Sequence, residues 1–155
     1  MQDSVTVHVD APPEKVWALV SDVTQIGRFS PETFEAEWLD GATGPNVGAR
    51  FRGHVKRNGI GPIYWTKCTV TECEPEKAFA FGVDGPSGKP MNIWRYELAA
   101  SGDGTDVTES FQLQNMLPLK VYWMAMGWWR GRTNRRGMQT TLERIKSVVE
   151  TQAAA

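Results

Sequence analysis

The sequence predicts an α+β fold in which one long C-terminal helix lies across a curved, seven-stranded antiparallel sheet, with two short helices after the first strand. Apolar residues alternate with period two in seven segments, and helical spacing appears only after the first segment and at the end of the chain. Six of the strands follow one another through short turns, which favours antiparallel pairing because parallel strands need long crossovers. A curved sheet with one helix across it leaves a space that a small molecule can occupy.

The first strand and the two short helices are predicted from residues 5 to 31. The strand has valines at alternate positions, namely Val5, Val7 and Val9. Prolines and an acidic residue then indicate the start of a helix at Pro12-Pro13-Glu14. Its apolar positions are Val16, Trp17, Leu19, Val20 and Val23. A second, irregular turn carries Ile26 and Phe29, and Pro31 ends it.

Period two returns at Thr33 and continues through six further strands. The expected inward phases are Phe34, Ala36 and Trp38; Phe51, Gly53 and Val55; Tyr64, Thr66, Cys68 and Val70; Phe79, Phe81 and Val83; and Val107, Glu109, Phe111 and Leu113. The sixth strand, residues 91 to 100, buries either Trp94 and Tyr96 or Arg95 and Glu97. Because burying a charge costs more than burying an aromatic ring, we expect the aromatic pair to face inward.

The closing helix is predicted from about Pro118 to Glu150. Its clearest buried stripe is Met138, Leu142, Ile145 and Val149. Three glycines, Gly127, Gly131 and Gly137, each cost about 1 kcal/mol relative to alanine inside a helix. Either the helix begins near Thr133 after a mobile flap, or the glycines allow a strand or a ligand to approach the helix backbone closely.

Length and charge limit the classes of function. A chain of 155 residues predicts a single domain, residues 1–155. A net charge of −1 gives no basic field for nucleic acid. The N-terminus carries no export signal, so we expect a cytoplasmic protein. The longest apolar run, Val121 to Trp129, is far shorter than the roughly 20 residues that span a bilayer.

The residues do not support metal or nucleophilic catalysis. His8 and His54 lie on outward strand phases, and the spacing of the histidines and cysteines matches no metal site. Cys68 and Cys73 are five residues apart in one strand, so period two points them to opposite faces, too far apart to bridge. We therefore predict no metal and no cofactor.

Three segments of the chain resemble the START-like (SRPBCC) superfamily, which includes polyketide cyclases and dehydrases, pollen-allergen-type proteins and lipid-transfer domains. They are Val9-Asp10-Ala11-Pro12-Pro13-Glu14-Lys15-Val16-Trp17, Gly104-Thr105-Asp106-Val107-Thr108-Glu109-Ser110 and residues 137–146 of the last helix. The resemblance covers nearly the whole chain. It implies a helix-grip fold with a hydrophobic ligand cavity.

The expected pocket lies between the sheet and the last helix. Its predicted ligand-binding residues are Trp38, Phe51, Val55, Phe81, Trp94, Tyr96, Glu109, Phe111, Trp123 and Met126. Glu109 and Tyr96 are also the candidates for proton transfer, because a carboxylate on an inward phase should have a raised pKa unless it is paired. The alternatives for Glu109 are a place at the cavity rim or a salt bridge to an arginine of the last helix.

The closing helix carries more aromatic residues than one buried stripe requires. Tyr122, Trp123, Trp128 and Trp129 fit core packing, a pocket wall, a membrane-contacting lip or a dimer surface. The neighbouring arginines Arg130, Arg132, Arg135 and Arg136 fit a solvated helix face or a site for an anionic head group. Transient membrane contact therefore stays open, and the oligomeric state is not predicted.

Three functions fit these observations. The first is binding of a hydrophobic small molecule, such as a lipid, fatty acyl or polyketide-like compound, by a carrier or sensor that performs no chemistry. The second is a cyclase, aromatase or dehydratase in which a cavity acid, Glu109 or Tyr96, transfers a proton. The third is a protein-interaction module that uses exposed tryptophans.

Overall fold

A computed structural model describes residues 2–114 and 117–155, except for the side chains of residues 58, 117–123 and 125–130. The strands are β1 (Gln2–Val9), β2 (Thr33–Trp38), β3 (Arg50–Lys56), β4 (Ile63–Glu74), β5 (Ala78–Asp84), β6 (Pro90–Ser101) and β7 (Gly104–Leu113). The α-helices are α1 (Pro13–Val20) and α2 (Leu117–Ala153), and two 3-10 helices cover Val23–Arg28 and Arg57–Gly59. The predicted order of elements is confirmed.

The seven strands form one antiparallel sheet in the order β1-β7-β6-β5-β4-β3-β2. Strands β2 to β7 pair in chain order, which agrees with their short connections. The first strand pairs with the last, so β1 and β2 are the two edges of the sheet. This is the predicted α+β helix-grip architecture.

The first short helix begins where the sequence predicts, but it ends at Val20, and Val23 opens the 3-10 helix that follows. Pro13 opens α1 after the cap position at Pro12, where the missing N–H of proline costs no helical hydrogen bond. The carboxylate of Asp22 accepts a hydrogen bond from the backbone N–H of Thr24 and caps the 3-10 helix. Their apolar residues pack into the core, where Val16 and Phe29 are buried.

Helix α2 closes the inner side of the sheet. Its buried stripe is the predicted one, namely Met138, Leu142, Ile145 and Val149. The helix begins at Leu117, well before Thr133. A β-carbon placed on Gly137 would meet no heavy atom within 4 Å outside its own helix backbone, so no strand approaches the helix closely at this glycine.

Two β-bulges overturn predictions that depended on uninterrupted period two. A register shift between Thr33 and Glu35 turns Phe34 to the outer face, where it is 45% exposed and contacts the ring of His54 at 4.5 Å. A second shift between Val70 and Glu72 places Cys73 opposite Phe79, so it packs against the core on the same face as Cys68. The two cysteines remain free thiols.

Candidate functional site

A cavity of about 290 Å³ lies between the inner face of the sheet and α2. Strands β3 to β7 form one wall, and the middle of α2, from Thr133 to Thr141, forms the other. Its lining is mainly apolar and aromatic and includes Ile26, Phe51, Val55, Tyr64, Phe81, Val83, Met91, Trp94, Tyr96, Phe111, Leu113 and Met138. Such a lining with a few polar groups is typical of sites for small organic molecules.

Among the described residues, the cavity lining is buried at one end, called the closed end, and more exposed at the other, called the open end. At the closed end lie Tyr96, Glu109 and Thr141, which are all buried. At the open end the lining residues are partly exposed or exposed, and they include Pro31, Arg57, Tyr64, Met91 and Thr133.

Glu109 is the ionisable group at the closed end, and its side chain is only 3% exposed. It faces inward because it shares the phase of Val107 and Phe111 on β7, as the sequence predicts. The hydroxyl of Tyr96, directly opposite on β6, donates a hydrogen bond of 3.0 Å to Oε1 of Glu109. The other oxygen, Oε2, is buried and has no hydrogen-bond partner among the described residues.

Burial raises the pKa of Glu109 to about 8, and the hydrogen bond from Tyr96 lowers it by a smaller amount. The pKa of Tyr96 is raised well above 10, first by its own burial and then by the neighbouring carboxylate. At neutral pH most Glu109 side chains are therefore protonated and Tyr96 is neutral. A neutral carboxylic acid both donates and accepts hydrogen bonds, so Oε2 is able to present a proton to a bound molecule.

Neither alternative for Glu109 describes its observed position. Its low exposure places it at the closed end and not at the rim. No ion pair joins it to an arginine in the part of the chain whose side chains are described. Arg95 lies on the opposite face of the sheet, where Nε donates a hydrogen bond of 2.7 Å to Oε2 of Glu72. The aromatic phase of β6 faces inward, as predicted.

Most of the predicted pocket residues come together in this cavity: Phe51, Val55, Phe81, Trp94, Tyr96, Glu109 and Phe111 all line it. Trp38 does not line it; its ring centre lies 5.8 Å from that of Phe51, which does. Trp123 and Met126 lie outside the described side chains. A role in ligand binding stays a prediction for all these residues.

Sequence reasoning missed several polar lining residues. The most notable is Asn92, whose Oδ1 is buried without a hydrogen-bond partner among the described residues. Period two could have found it, since Asn92 shares the inward phase of Trp94 and Tyr96. Thr33 also lines the cavity, but only the bulge in β2 turns it inward, and no sequence signal marks that bulge.

Two further classes of site have no candidate in the described part of the chain. There, no cluster of three or more histidine, cysteine, aspartate or glutamate side chains has the arrangement of a metal site. Within the same residues, no helix is both long and apolar enough to span a bilayer.

Solved structures of similar fold come from several bacteria. A polyketide-cyclase-like protein of Corynebacterium glutamicum is 24% identical, with 98% of this chain and 93% of that chain covered and a TM-score of 0.61. A protein of Thermus thermophilus is 14% identical, with 98% and 99% covered and a TM-score of 0.72. A protein of Nitrosomonas europaea is also 14% identical, with 100% and 97% covered and a TM-score of 0.71. At these identities the likeness concerns the fold.

No curated protein is similar enough to this chain to count as a match. The model of one family, described as polyketide cyclase / dehydrase and lipid transport, matches residues 3–150. This match spans β1 to the last turns of α2, and it agrees with the resemblance found in the sequence. The chain therefore belongs to the polyketide cyclase / dehydrase and lipid transport family.

Proposed function

We propose that this protein is a carrier or sensor that binds a hydrophobic small molecule, such as a lipid, fatty acyl or polyketide-like compound, in the cavity between the sheet and α2. The observation that carries the proposal is the pairing of apolar walls with a single carboxyl group at the closed end. Oε2 of that group, on Glu109, lacks a partner among the described residues. A ligand oxygen would supply one.

Affinity in such a site comes mainly from the walls. Each 100 Å² of apolar ligand surface that leaves water contributes about 2.5 kcal/mol before the cost of immobilising the ligand. Trp94 and Phe111, whose ring centres are 4.8 Å apart, form an aromatic pair in the cavity lining. A flat or chain-like apolar body therefore fits the site better than a polar one.

Glu109 orients the bound ligand. Because this side chain is mostly protonated at neutral pH, it donates a hydrogen bond to a neutral oxygen such as a carbonyl or hydroxyl group. No lysine or arginine lines the closed end among the described residues, so a buried ligand carboxylate would be left without a counter-ion there. The preferred ligand carries its innermost oxygen in an uncharged group.

Gly137 provides a test that separates binding from folding. It lines the middle of the cavity wall formed by α2, and a side chain added there would meet open space. Replacing a helical glycine stabilises the helix by about 1 kcal/mol, which raises the melting temperature by about 3 °C. Gly137→Leu should therefore melt higher than the wild type and yet bind the neutral fluorescent probe N-phenyl-1-naphthylamine more weakly, by at least about tenfold, because its side chain occupies the cavity.

Gly137→Ala is the matched control. It removes the same glycine but adds only one carbon, so it should melt higher while probe affinity stays within about twofold of the wild type. Equal probe affinity in the wild type, Gly137→Ala and Gly137→Leu would show that the probe binds elsewhere, and it would refute the proposed site.

A second candidate function is acid catalysis on a polyketide-like chain, as in a cyclase or dehydratase. The specific observation in its favour is the buried Glu109 hydrogen-bonded to Tyr96. Burial raises the pKa of Glu109 to about 8, and an acid whose pKa lies near the working pH is suited to proton transfer. Turnover of a polyketide-like substrate would fall as the pH rises through about 8, and Glu109→Gln would abolish it without unfolding the protein. Turnover that survives Glu109→Gln would exclude this acid.

A further inference from the structure

Along the cavity, the inner faces of β6 and β7 present polar residues at both ends and aromatic residues between them. Three cross-strand pairs follow one another: Asn92 opposite Leu113, Trp94 opposite Phe111, and Tyr96 opposite Glu109. The register of this pairing is uninterrupted, so all six side chains share the face that lines the cavity. The two polar ends are separated by an aromatic centre.

Both ends of this row contain a buried oxygen without a hydrogen-bond partner among the described residues. At the closed end it is Oε2 of Glu109, and toward the open end it is Oδ1 of Asn92. Buried polar atoms in folded proteins are nearly always hydrogen-bonded, because an unpaired one has lost its hydrogen bonds to water without replacement. Two such atoms in one cavity indicate that a bound molecule forms a hydrogen bond with each of them.

The spacing of the two ends limits the size of that molecule. Asn92 and Tyr96 are four residues apart on one strand, which is about 13 Å between their Cα atoms. The side chains of Trp94 and Phe111 lie between them, with their ring centres 4.8 Å apart. A compact ligand with a single oxygen would satisfy one end only.

The geometry points to an elongated ligand that has an oxygen function at each end of an apolar, preferably aromatic body, with a hydroxyl group donating to Oδ1 of Asn92 and a second oxygen bonded to Oε2 of Glu109. This inference rests on the proposed function and names the ligand class of the same site. The amide oxygen of Asn92 accepts hydrogen bonds only, so the group beside it must be a donor. The aromatic body packs against Trp94 and Phe111.

A matched series of probes tests this ligand class: biphenyl, 4-hydroxybiphenyl and 4,4′-dihydroxybiphenyl. Each is titrated against the wild-type protein by displacement of N-phenyl-1-naphthylamine. If both polar atoms are available, each added hydroxyl group should raise affinity by about three- to tenfold. In a cavity without available polar partners, each hydroxyl group would lower affinity, because it would lose its hydrogen bonds to water and form none in the cavity.

Variants of Asn92 assign the outer hydroxyl group. Asn92→Leu should bind 4,4′-dihydroxybiphenyl no more tightly than 4-hydroxybiphenyl, whereas Asn92→Asp keeps an acceptor, so this variant should still bind the dihydroxy compound more tightly. Gln112→Leu makes the same type of change on the exposed outer face of β7 and should bind all three compounds as the wild type does.

The outcomes separate the inference from the function on which it rests. Rising affinity along the series, with one step lost in Asn92→Leu, supports both. Two results would refute the ligand with an oxygen at each end but support an apolar binding site. In the first, all three compounds bind and biphenyl binds most tightly. In the second, each added hydroxyl group still raises affinity in Asn92→Leu. If the wild type binds none of the three compounds or the displaced probe, both are overturned.

Discussion

Arg95 and Glu109 lie on neighbouring strands of one sheet, and their surroundings differ. Arg95, on the outer face of β6, forms ion pairs with Glu72 and Glu97. Glu109, on the inner face of β7, has one neutral partner, the hydroxyl of Tyr96, and an oxygen without a partner among the described residues. Arg95 and Tyr96 are adjacent in sequence, so the two environments are separated only by the thickness of the sheet.

The two environments shift acid pKa values in opposite directions. The hydrogen bond from Arg95 lowers the pKa of Glu72, whereas burial raises that of Glu109 to about 8. A carboxylate such as Glu72, whose two oxygens both accept hydrogen bonds from Arg95, contributes to the sheet surface and has little capacity left for a ligand. A buried acid whose second oxygen lacks a partner among the described residues destabilises the empty protein and favours a molecule that completes its hydrogen bonds.

The largest expected effect is on the inner face. A glutamate whose pKa is 4.5 unfolded and about 8 folded makes the protein less stable as the pH rises between these values, by at most about 1.4 kcal/mol per pH unit. Glu109→Gln removes this loss but keeps an oxygen for Tyr96. Urea unfolding should therefore find the variant more stable than the wild type at pH 8, by a few kcal/mol, with a difference that narrows toward pH 4.5.

A difference in unfolding free energy that stays constant from pH 4.5 to pH 8 would contradict this account of Glu109. It would mean that the carboxyl group ionises in the folded protein as it does in the unfolded chain. Such a result would also remove the basis for acid catalysis at this position.

A smaller effect should separate the two aromatic faces. Trp94 lines the cavity, while Trp65 is 41% exposed on the outer face and stacks on His54 at 4.2 Å. Trp94→Ala should weaken binding of N-phenyl-1-naphthylamine by about tenfold or more, because it removes one ring of the aromatic pair in the cavity lining. Trp65→Ala should leave the affinity unchanged. Similar losses in both variants would place the probe outside the cavity.

The smallest expected effect is the contribution of Glu72, on the outer face, to the pH dependence of stability. Because the pKa of Glu72 is lowered in the folded protein, its ion pair stabilises the fold above pH 4.5, and this contribution is lost as the pH falls through the lowered pKa. About a third of the side chain is exposed, so Glu72→Gln should cost at most about 1 kcal/mol at neutral pH, less in high salt. If Glu72→Gln were more stable than the wild type at neutral pH, the stabilising role assigned to the Glu72 ion pair on the outer face would be wrong.

The alternation of apolar residues was enough to predict the seven strands and the inward position of Glu109, and helical spacing was enough to predict the closing helix. Period two fails where the backbone inserts an extra residue, as the bulges beside Phe34 and Cys73 show. No local sequence pattern marked these bulges, because they depend on how each strand pairs with its neighbour.

The sequence also did not indicate which inward-facing residues reach the cavity. Trp38 has the inward phase of a pocket residue, yet it packs against Phe51 on the adjacent strand and does not line the cavity. Asn92 has the same phase as Trp94, but a polar residue on an apolar face carries no indication of whether its oxygen finds a partner. Such facts arise only when distant segments pack together.

Native mass spectrometry of the protein purified from its own host, alongside denaturing extraction, tests the central claim most directly. The wild type and Gly137→Leu are compared after the same purification. We predict one apolar molecule with oxygen functions per wild-type chain and none in Gly137→Leu, whose added side chain occupies the cavity. A compound retained equally by both proteins would contradict the claim, because it would bind outside the space between the sheet and α2.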